Sequence, residues 1–194
     1  MHDIARALEC VVGALDRLAI PYMVGGSVAS SARGVYRATN DVDIVVRISE
    51  RDIPLLVSEL EREFYADSEM MFEALRHGRP FNLIHYASSS KFDLFPVGDD
   101  PYSQMQLDRA GTEDVILAPG ATAKCRVASA EDIILAKLVW YRLGGEQSDQ
   151  QWKDLGGIAA VQGARLDQEY LKKWAAHLGV EDLLKRLLAR GGSL

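Results

Sequence analysis

Two aspartates separated by one residue are the first pattern in the chain that could do chemistry. Asp41 and Asp43 open a run of β-branched residues that continues to Val46, and residues two apart on a strand project to the same face. Two adjacent carboxylates attract a cation, and their hard oxygens suit Mg²⁺, which completes its shell with water and substrate phosphates. Taken alone, Asp-x-Asp is also compatible with a solvated strand end.

A glycine-rich turn precedes this pair. Gly25, Gly26 and Ser27 lie between a short apolar run at 22–24 and a run of small, uncharged residues at 27–33. Glycines permit close approach of the backbone, and a helix N-terminus offers free N–H groups to a phosphate. The turn lacks the Gly-Lys-Ser/Thr of a P-loop and the glycine spacing of a dinucleotide fingerprint. By itself it also fits a tight turn in which Ser27 caps a helix.

Three further charged residues are candidates for a site. Asp93 stands in an apolar strand-like run, where an ionised carboxylate needs a partner: a metal, an arginine or an edge position exposed to water. Lys137 has little polar helix surface around it, so its ammonium needs a triphosphate, a structural ion pair or a route to solvent. Arg37, in the loop before Asp41, could reach a phosphate or remain solvated.

In this order, the residues resemble the signature of the nucleotidyltransferase superfamily with the DNA polymerase β type of fold. That signature is a Gly-Gly or Gly-Ser turn, then Asp-x-Asp or Asp-x-Glu, then a third carboxylate on a neighbouring strand. Residues 25–29 and 37–43 look most like the bacterial abortive-infection, toxin-type and uncharacterised nucleotidyltransferases. Residues 131–138 resemble that group's lysine-bearing helix and 152–155 its Lys-Asp element, although glycines follow where a second acidic residue is usual.

The resemblance implies Mg²⁺-dependent transfer of a nucleoside monophosphate from an NTP to a hydroxyl acceptor, with release of pyrophosphate. It implies that the catalytic and metal-binding residues, holding two Mg²⁺ ions, are Asp41, Asp43 and Asp93. The nucleotide-binding residues that it implies are Gly25, Gly26, Ser27, Arg37 and Lys137. The expected partners are the NTP, an acceptor that is RNA, protein or a small molecule, and a cognate antitoxin if the chain is toxin-like. The alternative is a catalytically silent nucleotide- or partner-binding module that kept the fold.

Hydrophobic periodicity predicts the elements that position these residues. Helices are expected over 3–18, 27–33, 51–64, 129–143, 152–162, 167–178 and 181–189. Strands are expected over 22–24, 41–46, 81–86, 92–97, 115–117 and 122–127, with 81–86 and 92–97 forming an antiparallel pair. We therefore predict an α+β fold in which a mixed-sheet core flanked by helices, 1–128, carries a packed C-terminal helical region, 129–194.

Charge and composition narrow the functions further. The chain has 28 acidic and 22 basic residues and a net charge of −6, so diffuse attraction to nucleic acid or an anionic membrane is not expected. The longest stretch without a charged residue, 18–32, is shorter than the roughly 20 residues of a membrane span. Four scattered histidines disfavour a zinc site. Two distant cysteines and no export leader predict a cytoplasmic protein.

Overall fold

The structure, a computed structural model, describes residues 3–36 and 39–191. It divides into two compact units. The sheet unit comprises Met1–Val28 and Ala38–Ala128, and the helical unit comprises Ala29–Arg37 and Ser129–Leu194. Within the described ranges, no helix is both long and apolar enough to cross a membrane. The predicted α+β class is confirmed, and the division into a nucleotidyltransferase core, 1–128, and a packed C-terminal helical region, 129–194, stays a prediction.

A mixed seven-stranded sheet forms the centre of the sheet unit. Its strands are β1 (Tyr22–Val24), β2 (Asp41–Val46), β3 (Phe64–Tyr65), β4 (Phe81–His85), β5 (Lys91–Pro96), β6 (Gly111–Ala118) and β7 (Ala121–Val127), in the spatial order β3-β4-β5-β2-β1-β7-β6. β2 runs antiparallel to β1 and parallel to β5, while β1 also pairs in parallel with β7. The predicted antiparallel pairing of β4 with β5 is confirmed.

Alternation along β2 separates the core from the opposite face of the sheet. Val42, Ile44 and Val46 are completely buried, whereas Asp41 and Asp43 point to the other side. Four helices belong wholly to this unit: α1 (Asp3–Arg17), α3 (Ile53–Leu60), α4 (Ser68–Arg76) and α5 (Pro101–Arg109). α1 packs on β7 and α3 and buries an apolar stripe, as its periodicity predicts.

The helical unit contains α6 (Ala130–Leu143), α7 (Asp149–Gln162), α8 (Gln168–His177) and α9 (Glu181–Gly191). α6 packs against α7 and α8, and α9 packs against the same two helices. Ser129 caps α6 by accepting a hydrogen bond from the Asp132 N–H at 3.1 Å, as the capping pattern predicts. The hydroxyl of Tyr170 donates to Asp132 at 2.6 Å and ties α8 to α6. α2 (Gly26–Arg33) begins in the sheet unit and continues into the helical unit.

One predicted helix, 51–64, is wrong at its C-terminal end. The chain forms a 3₁₀ turn at Glu50–Asp52 and then α3, and residues 64–65 are the strand β3 rather than the end of a helix. The reason is tertiary: Phe64 is buried against Phe92 with ring centroids 5.6 Å apart, and its backbone pairs with β4. Short strands of this kind carry no periodic signal of their own. Two helices, α4 and α5, were not predicted from the sequence, and each begins at an aspartate cap.

Candidate active site

Parallel pairing brings three of the predicted site residues onto one face of the sheet. Asp43 on β2 lies opposite Asp93 on β5, and Asp41 lies opposite Lys91. Because side chains two apart on a strand share a face, Asp-x-Asp stands beside Lys-x-Asp. On the other side of β5, Asn82 of β4 lies opposite Asp93. This acidic cluster, defined as Asp41, Asp43 and Asp93, is therefore a consequence of strand order and register.

A lysine lies within the field of the acidic cluster. The Nζ atom of Lys91 is 2.9 Å from Oδ2 of Asp93. The hydrogen bond to Asp93 raises the pKa of Lys91, and the charges of Asp93, Asp41 and Asp43 raise it further. The ammonium thus responds to all three carboxylates, so this face of the sheet attracts a cation. Lys91 was not predicted as a site residue, although its spacing from Asp93 repeats that of the two aspartates on β2.

The glycine turn touches the acidic cluster directly. The N–H of Gly25 donates to the backbone oxygen of Asp43 at 2.8 Å. Gly26 has a φ of +54°, and a Cβ atom placed on it would lie 1.6 Å from Oδ2 of Asp43. Only glycine permits this approach without displacing the carboxylate. The first turn of α2, with Ser27, therefore begins beside Asp43, and a helix N-terminus favours negative charge.

The acidic cluster has the donor atoms of a magnesium site, but in the described residues these atoms are not arranged to hold the ion. Carboxylate oxygens are the ligands that Mg²⁺ prefers, and Lys91 already balances part of their charge. Within residues 3–36 and 39–191, no group of three or more His, Cys, Asp or Glu side chains is arranged to hold a metal ion. One oxygen of Asp93 is instead bound by the Lys91 ammonium. A divalent cation held by all three carboxylates would therefore have to compete with Lys91.

The two predicted phosphate contacts outside the glycine turn stay predictions. Lys137 lies in the helical unit, where its Nζ is 2.9 Å from Oδ2 of Asp154, and the two side chains are 13% and 15% exposed. The amide of Gln150 donates to the other Asp154 oxygen at 2.8 Å. This is the structural ion pair that the sequence left open, and it gives Asp154 a role. Arg37 lies outside the described residues.

Comparisons with known proteins give structural matches only. No protein-family model matches the chain, and no curated protein matches it. The solution structure of the antibiotic-resistance factor ANT(2'')-Ia is 14% identical with a TM-score of 0.56, and the match covers 96% of this chain and 99% of that one. The crystal structure of ANT(2'')-Ia with adenylyl-2''-tobramycin is 17% identical with a TM-score of 0.54, covering 91% and 97%.

Two further structures are similar over most of their length. An antigenic nucleotidyltransferase-like protein from Paracoccidioides brasiliensis is 19% identical with a TM-score of 0.53, and the match covers 96% of this chain and 93% of that one. The lincomycin-bound lincosamide antibiotic adenylyltransferase LnuA is 13% identical with a TM-score of 0.50, covering 80% and 96%. At these identities the likeness establishes a shared fold. A closer relation to the toxin-type group stays a prediction.

Proposed function

Because the chain has the nucleotidyltransferase fold, we propose that it transfers a nucleoside monophosphate from an NTP to a hydroxyl acceptor and releases pyrophosphate. One observation carries the proposal: Asp43 stands between the glycine turn and Asp93. Gly26 lies so close to the Asp43 carboxylate that only a glycine fits there. Asp93 is the neighbour of Asp43 in register on β5. A phosphate-binding helix start and a metal-binding carboxylate thus meet at one residue.

Each group of residues has its own role in the proposed reaction. Asp41, Asp43 and Asp93 would hold two Mg²⁺ ions, which when bound supply charge neutralisation for the triphosphate. The N–H groups at the start of α2, beside Ser27, would receive the phosphates. In the reaction, the acceptor oxygen forms a bond to the α-phosphorus while the bond to the pyrophosphate oxygen breaks. The hydroxyl proton passes to the Asp93 carboxylate, which acts as the general base.

A small hydroxyl-bearing molecule is the acceptor class we propose. ANT(2'')-Ia was crystallised with an adenylylated tobramycin, and LnuA is an adenylyltransferase that binds lincomycin. The net charge of −6 disfavours a nucleic-acid acceptor. ATP is the first nucleotide to test, because ANT(2'')-Ia was crystallised with an adenylylated antibiotic and LnuA is an adenylyltransferase. RNA and protein acceptors and an antitoxin remain open from the sequence.

The ion pair between Lys91 and Asp93 favours a second candidate, the catalytically silent module. A site without metal needs another cation to neutralise its carboxylates. The Lys91 ammonium, bound to Asp93, is such a cation. In that case the fold would bind a nucleotide or a protein partner without turnover. The two candidates differ in whether a nucleotide binds in a magnesium-dependent way and whether pyrophosphate is released.

Thermal denaturation with each of the four NTPs, with and without Mg²⁺, is the first test. A ligand at about 100 times its Kd adds roughly 2.7 kcal/mol, or about 5–10 °C in Tm for a chain of this size. The Asp43→Asn variant should lose this rise, whereas Asp114→Asn, an equal change of charge on the exposed β6 position, should keep it. Pyrophosphate release is then measured with a panel of aminoglycosides, lincosamides and simple polyols. Nucleotide binding without release with any acceptor, RNA and protein included, would support the silent module.

A further inference from the structure

A pocket in the sheet unit lies away from the acidic cluster. It has a volume of about 330 Å³, near the lower end of the range for small-molecule sites, and lies beside the start of β1, the end of β2 and α5. Its lining includes Tyr22, Arg47, Gln104 and Arg126. Arg47 is four residues beyond Asp43 on the same extended chain, which corresponds to about 13 Å.

Arg47 presents an unsatisfied edge of its guanidinium group. Its backbone N–H donates to the oxygen of Pro21 at 2.9 Å, which fixes the residue at the end of the β1–β2 ladder. Its Nη1 atom donates to Oε1 of Gln104 at 2.5 Å. In the described part of the chain, no group accepts a hydrogen bond from its buried Nε and Nη2 atoms. Asp99 forms an ion pair with Nε at 3.7 Å, which is beyond hydrogen-bond distance, and its side chain is 97% exposed.

That unsatisfied edge has the geometry that oxyanions bind. Nε and Nη2 are two parallel donors along one edge of the planar guanidinium group, and carboxylates and phosphates engage such a pair through two oxygens. Buried donors without an acceptor are unfavourable, so an incoming acceptor gains more here than at an exposed arginine. Gln104 is an exposed residue whose amide also donates to Asp108 at 3.0 Å, and it supplies only a neutral oxygen to Nη1.

The rest of the lining adds a second cation and restricts the ligand. Arg126 is half-buried and donates through Nη2 to the backbone oxygen of Leu107 at 2.7 Å. Burial and the neighbouring Asp16 raise the pKa of Tyr22 to about 12, so its hydroxyl stays neutral. Asp16 and Asp108 are exposed lining residues. Positive charge inside and negative charge at the rim disfavour a polyanion and favour a ligand with one inner anionic group.

The geometry points to a binding site for a small molecule that carries one carboxylate or phosphate group, held by Nε and Nη2 of Arg47 with Arg126 beside it. The outer end of the ligand is neutral or carries an amine, which the rim aspartates accept. This site is separate from the acidic cluster and does not depend on the proposed function. It gives the sheet unit a second ligand in addition to any nucleotide.

An NMR titration of the full chain tests the site without any assay of catalysis. Inorganic phosphate, acetate and O-phosphoethanolamine are added without Mg²⁺ at constant ionic strength, with chloride as the reference. The reporters are the side-chain Nε–H signal of Arg47 and the backbone amides of Gln104 and Arg126. We expect saturable shifts of all three reporters with at least one anion. The phosphate and acetate arms show which oxyanion is preferred, and O-phosphoethanolamine shows whether an outer amine adds affinity.

Two charge-matched variants make the test specific. Arg47→Gln should weaken binding at least about tenfold, while Arg17→Gln, which removes an exposed arginine paired with Glu59, should change it less than about twofold. Asp43→Asn should leave the titration unchanged, because the acidic cluster is not involved. Equal affinities in the two arginine variants would overturn the proposal. So would the absence of a saturable Arg47 Nε–H shift in the wild-type chain, a result that needs no variant to fold.

Discussion

Replacing Gly26 with alanine should separate the geometry of the candidate active site from the stability of the fold. An alanine Cβ would lie 1.6 Å from Oδ2 and 2.8 Å from Cβ of Asp43. Ordinary contact requires about 3.5 Å, so the carboxylate must move by roughly 2 Å. The φ of +54° adds a backbone cost of about 1–2 kcal/mol for a residue with a side chain.

These two effects have different readouts. The backbone cost should lower Tm by about 2–8 °C. Displacement of a reacting group by about 1 Å can reduce a rate by about 100-fold, so pyrophosphate release should fall at least that far. The magnesium-dependent rise in Tm with NTP should disappear with it, because Asp43 no longer stands beside the start of α2.

Gly78→Ala is the matched control. Gly78 has a φ of +59°, nearly the same as Gly26, but a Cβ placed on it would meet no atom within 4 Å. The two variants should therefore lose similar backbone stability, and only Gly26→Ala should lose the nucleotide response. The reasoning would be refuted if Gly26→Ala bound and turned over nucleotide like the wild type, or if Gly78→Ala lost the response equally.

Three further predictions test individual contacts. Lys91→Met removes the competing cation and should tighten Mn²⁺ binding about fivefold, which corresponds to ~1 kcal/mol for a half-exposed charge. Mn²⁺ binding is measured by electron paramagnetic resonance. Unchanged or weaker binding would contradict the competition between Lys91 and the metal. Asp154→Ala leaves Lys137 buried without its partner and should lower the free energy of unfolding by about 3 kcal/mol, and adding Lys137→Met should recover more than half; additive losses would show that the pair is not coupled. Asp100→Ala removes the cap of α5 and should cost about 1 kcal/mol in urea unfolding at pH 7. Hydrogen bonds from Ser103 and Tyr102 lower the pKa of Asp100, so this stabilisation is present above about pH 4 and is lost as the pH falls through the folded-state pKa; a difference that is the same at pH 7 and pH 3 would argue against it.

Local sequence patterns are sufficient to predict several secondary-structure elements of this protein without any tertiary contact. The alternation of Asp41 and Asp43 with buried valines and isoleucine indicates a strand with one acidic face, and the capping pattern at Ser129 indicates where α6 begins. Both signals lie within a few neighbouring residues, because strand period and helix caps are properties of local backbone geometry. The order of the glycine turn and the acidic residues likewise carries the resemblance to the nucleotidyltransferase superfamily, and that resemblance implied the fold.

Tertiary structure decided which residues meet. Asp93 lies beside Asp43 only because β5 pairs in parallel with β2 across about fifty residues of chain, and the same pairing brings Lys91 to the cluster. Phe64 enters a strand through burial against Phe92, although its local sequence favours a helix. Lys137 needs an anion by its position on an apolar helix, but the packing of α6 on α7 determines that Asp154 supplies it. The apolar residues around a charge in the sequence indicate that it will be buried and will need a partner, because burying an unpaired charge is costly. Which residue becomes that partner depends on long-range packing.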